Sequence, residues 1–231
     1  MNVIITGAAR GLGLELTRIH AEHGDTVHAF DQSLADELNA LAEKYPGVLP
    51  AELELTDEDT VRTALGNIGE GSVDTLYNVA GIWYLDQRVG IEDTDLDKVK
   101  EVLLVNAVAP VCVLKYGKKL LKDSSIVLNV SSEAGSIARC YRDMEYGYAM
   151  SKAALNMASV TFQNETREQG IRVYCFHPGW MRTRIGGARA AASPESIAPE
   201  EAAEALYDCL YNKNDLIPGM FFDYLNNPWP W

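Results

Sequence analysis

The sequence predicts an α/β fold, a doubly wound parallel sheet of about seven strands with helices on both faces. Three observations predict it. Short, unbroken apolar runs alternate with amphipathic stretches along the whole chain. A glycine-rich turn separates the first apolar run from the first helical stretch. Gly24 and Gly170 stand where a helix should end, just before the next apolar run. Strands covered by helices on both faces read as continuous apolar runs, because neither face meets water.

In order, the first strand is expected over Val3–Thr6 and the first helix over Leu12–His23. A second strand, Thr26–Phe30, leads to a helix over Leu34–Lys44, and a third, Glu52–Leu55, to a helix over Glu58–Gly66 with Asp57 as its N-cap. The fourth strand is placed at Thr75–Val79, followed by one long helix over Asp95–Leu121. A fifth strand over Ile126–Val130 precedes a second long helix, Tyr148–Gln169. The remainder reads as a strand over Arg172–His177, a helix over Pro199–Tyr211 and a last strand near Met220–Asp223. Repeated strand–helix units imply right-handed crossovers. With no internal repeat, low-complexity tract or long linker, residues 1–231 are expected to form one domain.

Composition narrows the function. The 231 residues are 47% hydrophobic, enough for a full core. A net charge of −13 argues against a nucleic-acid backbone or an anionic membrane as partner, though not against a local basic pocket. Met1 runs straight into Val3-Ile4-Ile5 without a basic leader, and no apolar run approaches the roughly 20 residues of a membrane span. A cytoplasmic protein is expected. Cys112, Cys140, Cys175 and Cys209 are dispersed, with no Cys-x-x-Cys pair, so reduced thiols and no metal site are expected. His20 and His23, three apart on the first helix, read as surface decoration.

Thr6-Gly7-Ala8-Ala9-Arg10-Gly11-Leu12-Gly13 has glycines spaced G-x-x-x-G-x-G between a strand and a helix. Residues without Cβ let the backbone approach a pyrophosphate, and the helix that follows points its free amides at the phosphates. Asp31 ends the second strand about 20 residues later, where a carboxylate accepts from ribose hydroxyls and repels a 2′-phosphate. That favours NAD as cofactor. Arg10, which can grip a 2′-phosphate, keeps NADP open.

Tyr148 and Lys152, at i and i+4, share one helix face. A neighbouring ammonium favours a phenolate, so Tyr148 becomes a candidate acid/base. Ser131 and Ser132 follow the fifth strand, where a hydroxyl can polarise a substrate oxygen. Asn78-Val79-Ala80-Gly81 ends the fourth strand with small residues over which a cofactor can lie, and the Asn78 side chain can tie neighbouring strands together.

Thr-Gly-x-x-x-Gly-x-Gly, Asn-x-Ala-Gly, Asn106, the Ser-Ser pair, Tyr-x-x-x-Lys and His177-Pro178-Gly179 occur in one order along the chain. Together they resemble the short-chain dehydrogenase/reductase family, across nearly all residues. Tyr148–Met157, His177–Thr183 and the ending Phe221–Trp231 are similar to its sniffer and C-factor, carbonyl-reductase-like branch. The resemblance implies a Rossmann-type domain and an NAD(P)-dependent oxidoreductase interconverting an alcohol and a carbonyl by hydride transfer. It implies that Tyr148 is the acid/base and that Lys152 binds the nicotinamide ribose and lowers the Tyr148 pKa. Ser132, ahead of Ser131, would orient the substrate oxygen, and Asn106 would hold a water linking Lys152 to solvent. It further implies cofactor contacts from Gly7, Arg10, Gly11, Leu12, Gly13, Asp31, Asn78, Ala80, Gly81, Pro178, Gly179, Met181 and Thr183, with Glu54 and Leu55 reading the adenine. Homo-oligomers, dimers or tetramers through the two long helices, are implied as well.

Two departures from the family pattern stand out. Glu54 replaces the more usual aspartate. The Ser132-to-Tyr148 spacing is a few residues longer, and the extra segment Ser136–Gly147, with Arg139, Arg142, Asp143 and Glu145, is expected at the substrate rim. Trp83, Tyr84, Trp180 and Met181 are expected around an apolar or ring-bearing carbonyl substrate, with Arg139, Arg182 and Arg184 as a positive rim. The tail Asn226–Trp231 is expected to dock on its own chain or a partner subunit, since exposed tryptophans are costly. The competing reading is a dinucleotide-binding regulator on the same fold without turnover.

Overall fold

A computed structural model describes residues 1–213 and 215–231. The strands are β1 (Asn2–Thr6), β2 (Thr26–Asp31), β3 (Val48–Glu52), β4 (Val73–Asn78), β5 (Leu121–Val130), β6 (Arg172–His177) and β7 (Phe221–Asp223). They form one sheet in the order β3-β2-β1-β4-β5-β6-β7, every neighbouring pair parallel. The helices are α1 (Gly11–Glu22), α2 (Asp36–Lys44), α3 (Glu58–Gly66), α4 (Leu96–Leu103), α5 (Ala109–Gly117), α6 (Tyr146–Glu165), α7 (Gly187–Ala192) and α8 (Pro199–Tyr211).

Alternation along the strands divides the core into two layers. Val3 and Ile5 of β1 face Leu12 and Leu16 of α1 and Leu206 of α8. Ile4, between them, faces the other side, where Val61 and Leu65 of α3, Val113 of α5 and Phe162 of α6 pack. Burying side chains of this size contributes about 1.5–3 kcal/mol each, which is why strand residues on both faces are apolar. The winding reverses between β1 and β4, and the carboxyl ends of these adjacent strands open the crevice where doubly wound sheets bind ligands.

Several expectations need correction. The third strand lies at Val48–Glu52, not Glu52–Leu55. It contains Pro50, which normally argues against a strand, but β3 is an edge and pairs only with β2. The helix expected over Asp95–Leu121 is broken: α4 passes into a π-turn over Leu104–Val108 before α5, and a 3-10 turn over Lys118–Leu120 closes the stretch. Pro110 brings no N–H to the ladder, so the helix is rewound just ahead of it. β5 starts at Leu121, five residues early, through polar residues that give no apolar signal.

His20 is not surface decoration but fully buried. Its Nδ1 lies 2.7 Å from Asp25 Oδ2 and its Nε2 3.1 Å from the Tyr77 hydroxyl, which in turn meets Tyr211. Burial pushes the imidazole pKa down, against the pull of Asp25.

The tail docks on its own chain. Trp229 donates its backbone N–H to the Phe221 carbonyl at 2.7 Å, and the Trp231 indole stacks on Phe221 with ring centroids 5.4 Å apart. Ser136 Oγ donates to the Pro230 carbonyl at 2.7 Å, and Ala138 N to the Trp231 carbonyl at 2.8 Å. The tail is thereby bound to the segment between Ser132 and Tyr148.

Candidate active site

A cleft of about 1510 Å³ runs over the carboxyl ends of the central strands. Its floor begins at the glycine turn. Gly7 has φ +74°, and a Cβ there would fall 2.7 Å from the Ala80 backbone. A Cβ on Gly13 would lie 2.0 Å from the Gly7 carbonyl oxygen. Gly11 opens α1, and Arg10 at its N-cap supplies no side-chain cap, so the first amides of the helix are left for a ligand. The turn is latched to the end of β2, because Ala8 N donates to the Phe30 carbonyl and Ala9 N to Asp31 Oδ2 at 3.0 Å. Such a cradle, closed by backbone and free of side chains, fits the pyrophosphate of a dinucleotide.

Gly7, Arg10, Gly11, Leu12, Asp31, Glu54, Leu55, Ala80, Gly81, Ser132, Tyr148, Lys152, Pro178, Gly179, Met181 and Thr183 all border this one cleft. Three expected site residues do not. Gly13 is buried under the turn, where its role is packing. Asn78, 2% exposed, donates to Asn129 Oδ1 at 2.8 Å, and Asn129 passes on to Ser159, so the asparagine ties β4 to β5 and α6. Asn106, fully buried in the π-turn, clamps Ile82 by accepting from its N–H (2.8 Å) and donating to its carbonyl (2.9 Å), and also reaches Ser151. That clamp holds the chain after β4 at the cleft edge. Glu54 borders the cleft, but both of its oxygens accept local bonds, from Gln32 and from Thr56.

At the other end of the cleft, Lys152 projects from α6 and donates to the Val130 carbonyl at 2.9 Å. Burial pushes its pKa down to about 8. Its Nζ lies 5.7 Å from the centroid of the Tyr148 ring. Tyr148 is pushed up to about 12, by burial first and by the Glu133 charge second, while Ser132 favours the phenolate. Burial dominates here, since removing the phenol from water penalises its anion. Ser131 and Ser132 both border the cleft, and the Ser131 hydroxyl donates to Asn156 Oδ1 at 2.6 Å.

Sequence reasoning passed over Glu133. The Ser132 hydroxyl donates to its Oε2 at 2.5 Å, Arg142 pairs with its other oxygen, and His177 Nδ1 stands 3.9 Å away. Its position directly after Ser132 was the available signal. Tyr141, Arg142, Asp143, Met144 and Glu145 of the extra segment border the cleft, as expected of a rim, with Trp83, Tyr84 and Trp180. Of the expected positive rim, Arg182 and Arg184 border the cleft, Arg182 also donating to the Ser196 carbonyl, whereas Arg139 lies over the Trp229 ring outside the lining. Among the described residues, no group of three or more His, Cys, Asp or Glu could hold a metal ion, and no helix is long and apolar enough to cross a membrane.

Comparison with known proteins agrees with this geometry. Residues 1–193 match the short chain dehydrogenase family model. The C-signal protein of Myxococcus xanthus is 32% identical over 174 residues, 74% of this chain and 100% of that protein. NADPH-bound carbonyl reductase from chicken fatty liver superposes with a TM-score of 0.90 at 27% identity, covering 100% of this chain and 98% of the other. The carbonyl reductase Sniffer of Drosophila melanogaster superposes with a TM-score of 0.87 at 25% identity, over 100% and 99%.

Proposed function

Because this chain belongs to the short-chain dehydrogenase/reductase family, in its sniffer and C-factor-like branch, we propose that it interconverts an alcohol and a carbonyl by hydride transfer with NAD(H), residues 1–231 acting as one unit. It is an oxidoreductase of that family. The observation that carries the reaction is the meeting of Ser132, Tyr148 and Lys152 with the glycine turn on one cleft. When bound there, the nicotinamide supplies or accepts the hydride.

The rest is the work of the chain. Gly7 and Gly11 seat the phosphates, and Lys152 holds the ribose. Ser132 bonds the substrate oxygen, and Tyr148 moves the proton between its phenol and that oxygen. With its pKa pushed up to about 12, Tyr148 is protonated at neutral pH and ready to donate to a nascent alkoxide. A dinucleotide-binding regulator would need the glycine turn but not Tyr148 and Lys152 together on the same cleft.

Tyr148→Phe is expected to lower kcat by about 10²–10⁴-fold, the usual range for a lost general acid, while NADH still quenches or shifts fluorescence with its wild-type dissociation constant. Full turnover in that variant would remove the assignment.

Trp83, Tyr84, Tyr141 and Trp180 around the cleft favour an apolar or ring-bearing carbonyl compound. For the cofactor, Asp31 favours NAD. The contrary reading rests on Arg10, whose guanidinium donates to Ser33 Oγ at 3.3 Å beside the end of β2, and on the NADPH carried by the chicken carbonyl reductase. Cys112, Cys140, Cys175 and Cys209 are all free thiols, which suits a reducing compartment such as the cytoplasm. The further partner in this reading is a second copy of the chain, not nucleic acid or membrane, given the net charge of −13.

A further inference from the structure

Five charged or titratable side chains meet beside the Ser132–Tyr148 pair. Glu133 follows Ser132 and takes its hydroxyl proton in a 2.5 Å hydrogen bond. Arg142, from the segment that lengthens the Ser132-to-Tyr148 spacing, pairs with Glu133 through one terminal nitrogen and with Glu145 through the other. Glu145 is 4% exposed, caps the start of α6 in a left-handed conformation (φ +65°), and is paired on its far side with Arg88 at 3.1 Å. His177, at the end of β6, closes the group 3.9 Å from Glu133. The run is fixed from behind by the tail, through Ser136 to Pro230 and Ala138 to Trp231.

A serine hydroxyl carries one proton. With that proton committed to Glu133, the Ser132 hydroxyl is not free to donate elsewhere, and a substrate carbonyl must compete with Glu133 for it. Arg142 decides how strongly Glu133 competes, because it shares the carboxylate's charge. We propose that Glu133, clamped by Arg142, is a positioning residue that holds the Ser132 hydroxyl and sets how readily it donates to Tyr148 or to a substrate oxygen, and that the extra segment exists in this chain to deliver Arg142 to it. Glu133 acts through Ser132 and touches neither substrate nor cofactor in this assignment.

The assignment rests on the reading of Ser132 and Tyr148 as the reacting pair, but it has consequences without turnover. The charged and titratable groups around the Tyr148 phenol are Glu133 on the β5 loop, Arg142 and Glu145 on the extra segment, Lys152 on its own helix, and His177 behind Glu133 on β6, with Asp223 of β7 beyond it. Glu133 and Glu145 disfavour the phenolate, whereas Arg142 favours it. Removing the Glu133 charge must therefore make Tyr148 easier to ionise, and removing Arg142 must make it harder. A residue that merely supports the fold would move both variants the same way.

The test is a carbon-13 NMR titration of the full-length chain labelled at tyrosine Cζ, without cofactor, from pH 7 to 12, the Tyr148 signal being identified by its loss in Tyr148→Phe. Glu133→Gln is expected to bring the Tyr148 midpoint acidward by about half a pH unit or more. Arg142→Gln is expected to leave Tyr148 protonated over the whole range. An unchanged or alkaline-shifted midpoint in folded Glu133→Gln overturns the proposal, as does an acidward shift in Arg142→Gln. Should Glu133→Gln not fold, the direction seen in Arg142→Gln decides alone. Full turnover by Tyr148→Phe would instead strike the reaction while leaving this electrostatic result standing, so the two failures are distinguishable.

Discussion

At the scale of single residues, cofactor choice turns on Asp31 against Arg10. Asp31 borders the cleft with one carboxylate oxygen bonded to Ala9 N. Because that bond anchors the side chain, its charge cannot swing away from an approaching 2′-phosphate. Two like charges 4 Å apart at an effective dielectric near 20 repel by about 4 kcal/mol. Arg10 is exposed, and an exposed ion pair returns only about 0–1 kcal/mol. The repulsion outweighs the attraction, so NADH is expected to bind at least about tenfold more tightly than NADPH in a fluorescence titration. Asp31→Ser should bring the two affinities together chiefly by improving NADPH. Tighter NADPH binding by the wild-type chain would mean that Arg10 and Ser33 make a phosphate site strong enough to reverse this balance.

At the scale of elements, the tail is the clearest case of one segment holding another. Deleting Trp229–Trp231 removes the Trp231–Phe221 stack and the backbone bonds to Phe221, Ser136 and Ala138. At about 0.5–1.5 kcal/mol for an aromatic pair and for each hydrogen bond, the melting temperature should fall by roughly 5–10 °C in a chain of this size. An unchanged calorimetric melt would show that the docking contributes nothing. The need for such docking was legible in two terminal tryptophans, though its receptor was not. The helices α3 and α8 and the strand β6 were legible to the residue, because caps and unbroken apolar runs are local signals. What was missed depends on distant contacts: β3 tolerates Pro50 only because it is an edge, and His20 is buried only because Asp25 and Tyr77 receive it. Site residues at strand ends were legible for the converse reason, since strand order alone carries them to one crevice. Glu133 escaped notice because its meaning depends on Arg142, nine residues on and across a fold of the chain.

At the scale of the whole molecule, exposed apolar side chains gather on adjoining helical segments. Leu96, Leu104, Val108 and Val111 are 65%, 40%, 55% and 45% exposed along α4, the π-turn and α5, and Met150 and Met157 are 50% and 67% exposed on the adjoining α6. Single exposed apolar residues are ordinary, but six on helices that pack side by side make a patch of the kind soluble monomers avoid. A second copy offers the same apolar face, and two such faces can bury each other by a twofold axis. Light scattering is therefore expected to give at least twice the single-chain mass of 25.4 kDa. Val108→Asp, which places a charge within the patch, should shift the population to single chains without lowering NADH affinity. Each chain carries a charge of −13, so association brings like charges together. Salt screens that repulsion and leaves apolar burial intact, so the assembly should tighten as ionic strength rises. A single-chain mass at all salt concentrations would leave the face without a partner and remove the oligomer from this account. If the face does pair, the consequence reaches the site. α6 presents Met150 and Met157 outwards and carries Tyr148 and Lys152 inwards on the same backbone, so a partner that immobilises one side of the helix also fixes the acid/base pair on the other.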